Sequence, residues 1–345
     1  MTLPVPLTLM GAPGSPYTRK MLALLRYRRI PYRFLLGRHG SFPDMPQPKV
    51  RLLPTFYLSK ADGSLEAVVD STPLIRRFER AFAERSVVPS DPAVAFLDYL
   101  LEDFADEWLT KAMFHYRWHF ARDAEQAGEI LPRWSMKPVP ESALAQMKTM
   151  VNERQIARLY VVGSNDTTAP VIEASYRRVL DALKHHLEKH LFLMGGRPGA
   201  SDFATFGQLT QLVKFDPTPM AIALSQAPRL YAWVDMVEDL SGLEPAETDW
   251  ISRDALPETL RALFVEMGRV YVPVMLANAR ALSQGATKVE TEVDGLPWVQ
   301  EPFPYQAKCV QWIGEEFARL GSPERNAVRE ALAGTGCEAL LAKFG

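Results

Sequence analysis

Short apolar runs separated by polar turns characterise the N-terminal part of the chain and predict a small α/β unit. Four of these runs predict strands, at residues 6–10, 32–36, 54–58 and 65–69. A helix is expected to begin at Ser15-Pro16, a favoured N-cap followed by a proline in the first turn. A second helix begins at Ser71, and the Asp62-Gly63 pair marks the turn of a β-hairpin. The predicted order is β-α-β followed by β-β-α.

After Pro92 the apolar positions recur at helical spacing, which predicts a change from mixed to helical structure. Long helices are predicted at residues 93–120, 140–160, 170–192, 200–214 and 227–240. The C-terminal part predicts helices at residues 257–284, 303–320 and 323–333, with a hairpin at 287–302. We therefore expect an α/β domain, an all-helical domain and an extension of helices and a β-hairpin, at residues 1–83, 92–245 and 250–345.

Composition and charge narrow the classes of partner. Of the 345 residues, 47% are hydrophobic and 23% are charged, and the formal net charge is −2. Binding to nucleic acid needs a clustered basic surface, so nucleic acid is not an expected partner. Two cysteines, Cys309 and Cys337, are too few for a disulfide framework and predict a reducing, cytoplasmic location. We expect no membrane partner, since no apolar run approaches the roughly 20 residues that span a bilayer. We also expect no signal peptide, because the first residues lack a basic region and contain prolines.

Three features of the first domain are suited to binding a peptide-like anion. The Ser15 hydroxyl stands at the positive end of the first helix, where it can donate to a thiolate. Leu53-Pro54 opens the third strand, and a cis bond there would free the Leu53 backbone to pair with an extended ligand. Asp70-Ser71 precedes the next helix, whose first amides can hold a carboxylate while Asp70 accepts from an ammonium. Each feature also has a structural interpretation, as an N-cap or as an ordinary strand edge.

The joint occurrence of these features, in this order, resembles the glutathione transferase superfamily. The matching segments are GSPYTRKMLALL, LLPTFYL and VVDSTPLIRRF in the first domain and LMGGRPGASDFATFGQL at residues 193–209. The resemblance covers residues 5–240 and implies a thioredoxin-like domain followed by an all-α domain. It also implies glutathione as co-substrate, an electrophilic small molecule as second substrate, and a homodimer.

The resemblance also implies a role for each residue of the three features. Ser15 would donate to the glutathione sulfur and favour the thiolate, which lowers the thiol pKa from about 8.5. The backbone of Leu53, beside Pro54, would bind the cysteinyl unit of glutathione. Asp70 and Ser71 would hold its γ-glutamyl end.

Several positions depart from the pattern of the family. Ser15 stands where cysteine-type members carry Cys, and without a Cys-x-x-Cys motif thiol-disulfide exchange by a protein cysteine is excluded here. Tyr17 is an alternative hydroxyl donor. The glycyl carboxylate has Lys49 or His39 as a candidate partner, unless both are ordinary solvated side chains. In the helical domain Gly199 replaces the usual N-cap hydroxyl, which we interpret as structural.

The second substrate of this family binds between the two domains, so side chains on the predicted helix at 93–120 are candidates to contact it. The candidates are Tyr99, Asp103, Trp108, His115 and Tyr116. Aromatic residues at helical spacing also have a simpler interpretation as core.

Two further groups of polar residues are given structural interpretations. Histidines stand four apart in the pairs His115 with His119 and His186 with His190. Neither pair has the intervening Glu of a His-Glu-x-x-His motif, so we expect surface histidines and no metal. An acidic run, comprising Glu102, Asp103, Asp106 and Glu107, is expected to be a solvated or dipole-favoured face.

The sequence therefore predicts a cytoplasmic glutathione-dependent transferase. The alternative from another class is a non-catalytic binding or scaffold protein on the same fold, because fold does not determine function. A second alternative is a glutathionyl-lyase, isomerase or peroxidase of the same superfamily. The extension could cover the active-site mouth, pack on the first domain or replace part of the dimer contact, and the sequence leaves these open.

Overall fold

The N-terminal part of the chain folds into a mixed four-stranded sheet with two helices. The computed structural model describes residues 3–342. The elements are β1 (Leu7–Gly11), α1 (Pro16–Tyr27), β2 (Tyr32–Leu36), β3 (Thr55–Ser59), β4 (Leu65–Val68) and α2 (Ser71–Ala81). The strand order is β2-β1-β3-β4, with β1 parallel to β2 and antiparallel to β3. The predicted β-α-β and β-β-α order is confirmed.

Local chemistry explains where these elements begin and turn. The Ser15 side chain accepts from the Thr18 amide at 3.2 Å and caps α1, as the Ser-Pro pair predicts. In the hairpin between β3 and β4, Gly63 has φ of +80°, which glycine adopts without a steric penalty. Asp62 supports the same turn by accepting from the Ser64 amide at 2.9 Å. The short-range signals therefore fix both features without help from distant parts of the chain.

The middle of the chain is helical. Its helices are α3 (Pro92–Phe104), α4 (Thr110–His119), α5 (Ala121–Ile130), α6 (Glu141–Ile156), α7 (Ala169–His186), α8 (Ala200–Leu212), α9 (Pro217–Gln226) and α10 (Pro228–Val237). The helix predicted at 93–120 is divided, because a π-helical turn at Ala105–Leu109 separates α3 from α4. The sequence prediction missed α5 and α9, which are short and carry few buried side chains to mark a period.

The C-terminal extension consists of α11 (Glu258–Ser283), β5 (Val289–Val293), β6 (Leu296–Gln300), α12 (Pro304–Arg319) and α13 (Ser322–Leu332). The predicted hairpin is present, and Asp294 and Gly295 both have positive φ at its turn. Both α12 and α13 pack on α3, and α12 also packs along α11. The extension therefore covers part of the helical domain. Within the described part of the chain, no helix combines the length and apolar character needed to cross a membrane.

The first domain and the helical domain meet where α1 lies on α8. A Cβ atom at Gly207 would lie 2.5 Å from the Pro16 carbonyl oxygen, so the close approach of the two helices requires glycine there. The Tyr27 and Phe203 rings also meet across this contact, with centroids 5.6 Å apart. One hydrophobic cluster runs through all three parts of the chain. A core shared by all three parts does not mark where one domain ends, so the domain limits drawn from the sequence stay predictions.

Candidate active site

One end of the N-terminal sheet gathers the three features that the sequence singled out. Thr55 of β3 pairs with Met10 of β1, and Phe56 pairs with Val68 of β4. Because both pairings are antiparallel, the start of β3 lies beside the ends of β1 and β4. The loop before Ser15 follows β1, the Leu53-Pro54 bond directly precedes β3, and Asp70-Ser71 follows β4, so the three features lie at this end of the sheet.

Ser15 and Leu53 are in direct contact. The Ser15 hydroxyl donates to the Leu53 carbonyl oxygen at 3.2 Å while its oxygen accepts from the amide at the start of α1. The Leu53-Pro54 peptide bond is cis. Ser15 is half-buried. To donate to a ligand sulfur, that hydroxyl must turn away from the Leu53 carbonyl, since it has a single proton.

Asp70 and Ser71 occupy the start of α2. Asp70 has φ of +81°, a conformation that L-residues rarely adopt, and its side chain makes no hydrogen bond that caps the helix. Burial raises the pKa of Asp70, which is half-buried. Its carboxylate accepts from the Tyr305 hydroxyl at 2.7 Å, a contact the sequence did not predict. The first amide groups of a helix lack partners within the helix, so this end of α2 can receive an anion.

A buried lysine under Ser71 was also missed by the sequence reasoning. Lys20 on α1 donates to the Ser71 hydroxyl at 3.2 Å, to Glu102 at 2.8 Å and to Asp106 at 2.6 Å. Burial acts to lower the pKa of Lys20, but the two carboxylates outweigh it and raise that pKa. The lysine is therefore charged. Lys20 precedes Met21, which belongs to the predicted buried face of α1. A lysine next to that face is the sequence signal that could have revealed it.

The structure gives the remaining predicted ligand residues different surroundings. Tyr17 points into the helical domain, where its hydroxyl donates to the Asp106 carbonyl at 2.7 Å and bonds Thr110 at 2.8 Å. Burial raises the pKa of Tyr17, so its hydroxyl stays protonated. Lys49 is exposed, and the His39 ring bonds the Leu52 carbonyl at 3.1 Å. Ligand contacts by these residues stay predictions.

All five candidates for the second substrate are buried, and the most exposed of them shows 8% of its surface. They are Tyr99, Asp103, Trp108, His115 and Tyr116. Trp108 donates to Ser175 at 2.8 Å, and Asp103 accepts from the Tyr271 hydroxyl. These contacts join the π-helical turn to α7 and α3 to α11 in the core, which agrees with the interpretation of these residues as core. Their contact with a second substrate stays a prediction.

Two expectations about polar residues are wrong. The acidic run is not a solvated face, because the side chains of Glu102, Asp103 and Asp106 are buried under α1 and the extension. Burial raises the pKa of Asp103 to about 7 and that of Asp106 to about 6. Sequence spacing could not show this, because the covering elements are distant in the chain.

The second error concerns the histidine pairs. The sequence predicted surface histidines, and this is wrong for one member of each pair, because His115 and His186 are fully buried. His119 is exposed and His190 is half-buried. Burial lowers the pKa of His115 to about 3 and that of His186 to about 4, so both are neutral. Residues 3–342 contain no group of three side chains placed to hold a metal ion.

The start of α8 is built differently from the start of α2. Asp202 accepts from the Gly199 amide at 2.9 Å and from the Leu193 amide at 2.8 Å. Asp98 accepts from the amides of Ala200 and Ser201, each at 3.2 Å. The amides of this helix end therefore have partners within the protein, as expected for a structural cap.

Two family models match the chain in the regions just described. The model for the N-terminal domain of glutathione S-transferase matches residues 9–86, and the model for its C-terminal domain matches residues 150–235. The chain therefore contains an N-terminal and a C-terminal domain of the glutathione S-transferase type. No curated protein matches the chain in sequence.

Several solved structures resemble the chain at low identity. A glutathione S-transferase from Rhodospirillum rubrum F11 is 18% identical over 67% of this chain and 87% of its own, with a TM-score of 0.41. A glutathione S-transferase from Methylobacterium radiotolerans, in complex with glutathione sulfonate, is 16% identical over 73% and 94%, with a TM-score of 0.41. The beta-etherase LigF from Sphingobium sp. strain SYK-6 is 16% identical over 70% and 97%, with a TM-score of 0.42.

Proposed function

We propose that this protein binds glutathione and adds the glutathione thiolate to an electrophilic small molecule. The observation that carries the proposal is the convergence of Ser15, the Leu53 backbone and the start of α2 on one end of the sheet. These groups offer a hydroxyl donor, backbone groups for an extended peptide, and a carboxylate beside a helix N-terminus. The matches to the two glutathione S-transferase domain models support the same assignment.

In the proposed mechanism, each end of the tripeptide has its own partner. Asp70 accepts from the α-ammonium of the γ-glutamyl unit, and Ser71 with the first amides of α2 donates to its carboxylate. The Leu53 backbone pairs with the cysteinyl unit. The Ser15 hydroxyl turns from the Leu53 carbonyl to the sulfur and stabilises the thiolate. The thiolate then attacks an electrophilic carbon, forming a C–S bond as the leaving group departs with its electron pair.

A second candidate function is glutathione binding without catalysis. The contact that favours it is the hydrogen bond from the Ser15 hydroxyl to the Leu53 carbonyl, which occupies the proton that catalysis needs. In this case the tripeptide would bind but its thiol would keep an ordinary pKa.

One experiment separates these functions. Thermal unfolding is measured with and without glutathione, and glutathione consumption is measured with an aryl halide. Saturation to 100 times the dissociation constant should stabilise the protein by about 2.7 kcal/mol. No stabilisation would refute both functions, whereas stabilisation without consumption of thiol over several electrophiles would favour binding alone.

The homodimer and the cytoplasmic location implied at the sequence level are also part of this proposal. Light scattering of the purified chain tests the first, since a dimer would have twice the mass of 38.8 kDa. A monomer at all concentrations would remove the dimer from the proposal and leave the site unaffected.

A further inference from the structure

Tyr305 brings the C-terminal extension into contact with the proposed ligand site. Its hydroxyl donates to Oδ2 of Asp70 at 2.7 Å, and both side chains are half-buried. The pair is therefore partly open to solvent.

The start of α12 is held firmly, which fixes the position of Tyr305. The Phe303 amide donates to Oδ1 of Asn278 at 2.7 Å, and the amide group of Asn278 donates back to the Phe303 carbonyl at 2.9 Å. The Tyr305 ring packs edge-on against Trp312, with centroids 5.9 Å apart. These contacts position the Tyr305 phenol beside Asp70.

The direction of the Tyr305 proton determines what the pair can bind. A phenol has one proton, and here it is donated to Asp70, so the phenol oxygen can only accept from any further group. An ionised carboxylate also only accepts. Asp70 and Tyr305 together therefore form a surface of acceptors.

The neighbouring Ser71 presents the opposite character. The Lys20 ammonium has no lone pair, so the Ser71 oxygen must accept from it, and the Ser71 proton is left to donate elsewhere. The acceptors of Asp70 and Tyr305 thus lie next to the hydroxyl donor of Ser71. This arrangement is complementary to an α-amino acid head, whose ammonium has three donors and whose carboxylate only accepts.

We propose that Tyr305 is a specificity-determining residue that makes the site select ligands with a free α-ammonium. This inference rests on the proposed binding of glutathione, and adds to it a residue from outside the two family-matched domains. Acylating the ligand nitrogen leaves one N–H donor and places a carbonyl oxygen against acceptors. Such a ligand should bind weakly, because its acceptor faces acceptors without a proton between them.

Calorimetric titration with glutathione and with N-acetylglutathione tests the inference. The wild type should bind glutathione at least about tenfold more tightly than its N-acetyl form. Tyr305→Phe keeps the ring and removes the oxygen, so it should weaken glutathione binding about tenfold, as expected for one lost bond to a charged group. Its binding of N-acetylglutathione should not change. Tyr160→Phe, which alters a half-exposed phenol on another element, should match the wild type.

Several results would overturn the inference. Equal binding of the two ligands by the wild type would do so without any variant. If Tyr305→Phe lowers the affinity for both ligands equally, the phenol supports the fold and does not discriminate between the ligands. Tighter glutathione binding by Tyr305→Phe would mean that the phenol competes with the ligand for Asp70. If the wild type binds neither glutathione nor N-acetylglutathione, the proposed function itself is refuted.

Discussion

The N-termini of α8 and α2 each carry an aspartate, and of these two helix ends the one at α2 is left open to a ligand. At α8, Asp202 is fully buried, and both of its carboxylate oxygens accept backbone amides of the same chain. At α2, Asp70 is half-buried, has positive φ and leaves the first turn uncapped. A Cβ at Gly199 would collide with the Asp98 carboxylate, so the α8 end is also closed by packing.

The contrast between α8 and α2 distinguishes a structural cap from a binding site. A buried carboxylate whose acceptors are all filled stabilises the fold, because its removal leaves buried donors without partners. A carboxylate held in a rare backbone conformation with an open helix end next to it contributes less to stability and keeps its acceptors for another molecule. The predictions below test whether stability and binding divide between α8 and α2 in this way.

The largest expected effect is on stability at α8. Asp202→Ala leaves the Leu193 and Gly199 amides without their acceptors and should lower the free energy of unfolding by about 3 kcal/mol. Asp70→Ala should cost about 1 kcal/mol or less, since it removes one half-exposed hydrogen bond. Urea denaturation measures both, with the exposed Asp254→Ala as control. Equal losses at the two helix ends would contradict the comparison.

The next effect is on binding at α2. Asp70→Asn keeps the shape of the side chain but removes its charge, and should weaken glutathione binding ten- to a hundredfold. Its free energy of unfolding should stay within about 0.5 kcal/mol of the wild type. Titration calorimetry gives the affinity. Unchanged affinity in a folded Asp70→Asn variant would remove Asp70 from the proposed site.

A third prediction concerns pH. Burial raises the pKa of Asp202 to about 8, against an ordinary value of 3.8. Between these values the folded state holds a proton that the unfolded state has lost, so stability should fall as pH rises through this window. The slope from this group is at most about 1.4 kcal/mol per pH unit and ends above about pH 8.

Unfolding free energies at a series of pH values from 5 to about 9 check this, with Asp202→Asn as the matched variant that cannot titrate. The variant should show a flatter decline than the wild type. Parallel curves would mean that Asp202 is ionised in the folded protein throughout this range.

The smallest effect is expected at the sulfur. Ser15→Ala removes the proposed donor to the thiolate and should raise the pKa of bound glutathione by about one unit or less, with binding retained. Ultraviolet absorbance of the thiolate during a pH titration measures it, and Ser15→Thr, which keeps a hydroxyl, is the control. If all three proteins give the same pKa, the hydroxyl does not act on the sulfur and the non-catalytic function is favoured.

The features that depend on neighbouring residues could be predicted from the amino-acid sequence. The Ser15-Pro16 cap, the Asp62-Gly63 turn and the short apolar runs that form the strands of the N-terminal sheet follow from local propensity and periodicity. The fold of the first two domains could be predicted from the family resemblance, which is carried by Ser15, Leu53-Pro54 and Asp70-Ser71.

Which polar groups are buried, and which partners they contact, depends on how distant elements pack together. Asp70 and Tyr305 stand 235 positions apart, and Lys20 meets Glu102 across 82 positions, so no local pattern relates them. The buried acids of α3 and the buried His115 and His186 look like surface residues in the sequence, because their burial depends on the elements packed over them. Burial and hydrogen-bond partners are properties of the packed chain, and they separate the open aspartate of α2 from the closed one of α8.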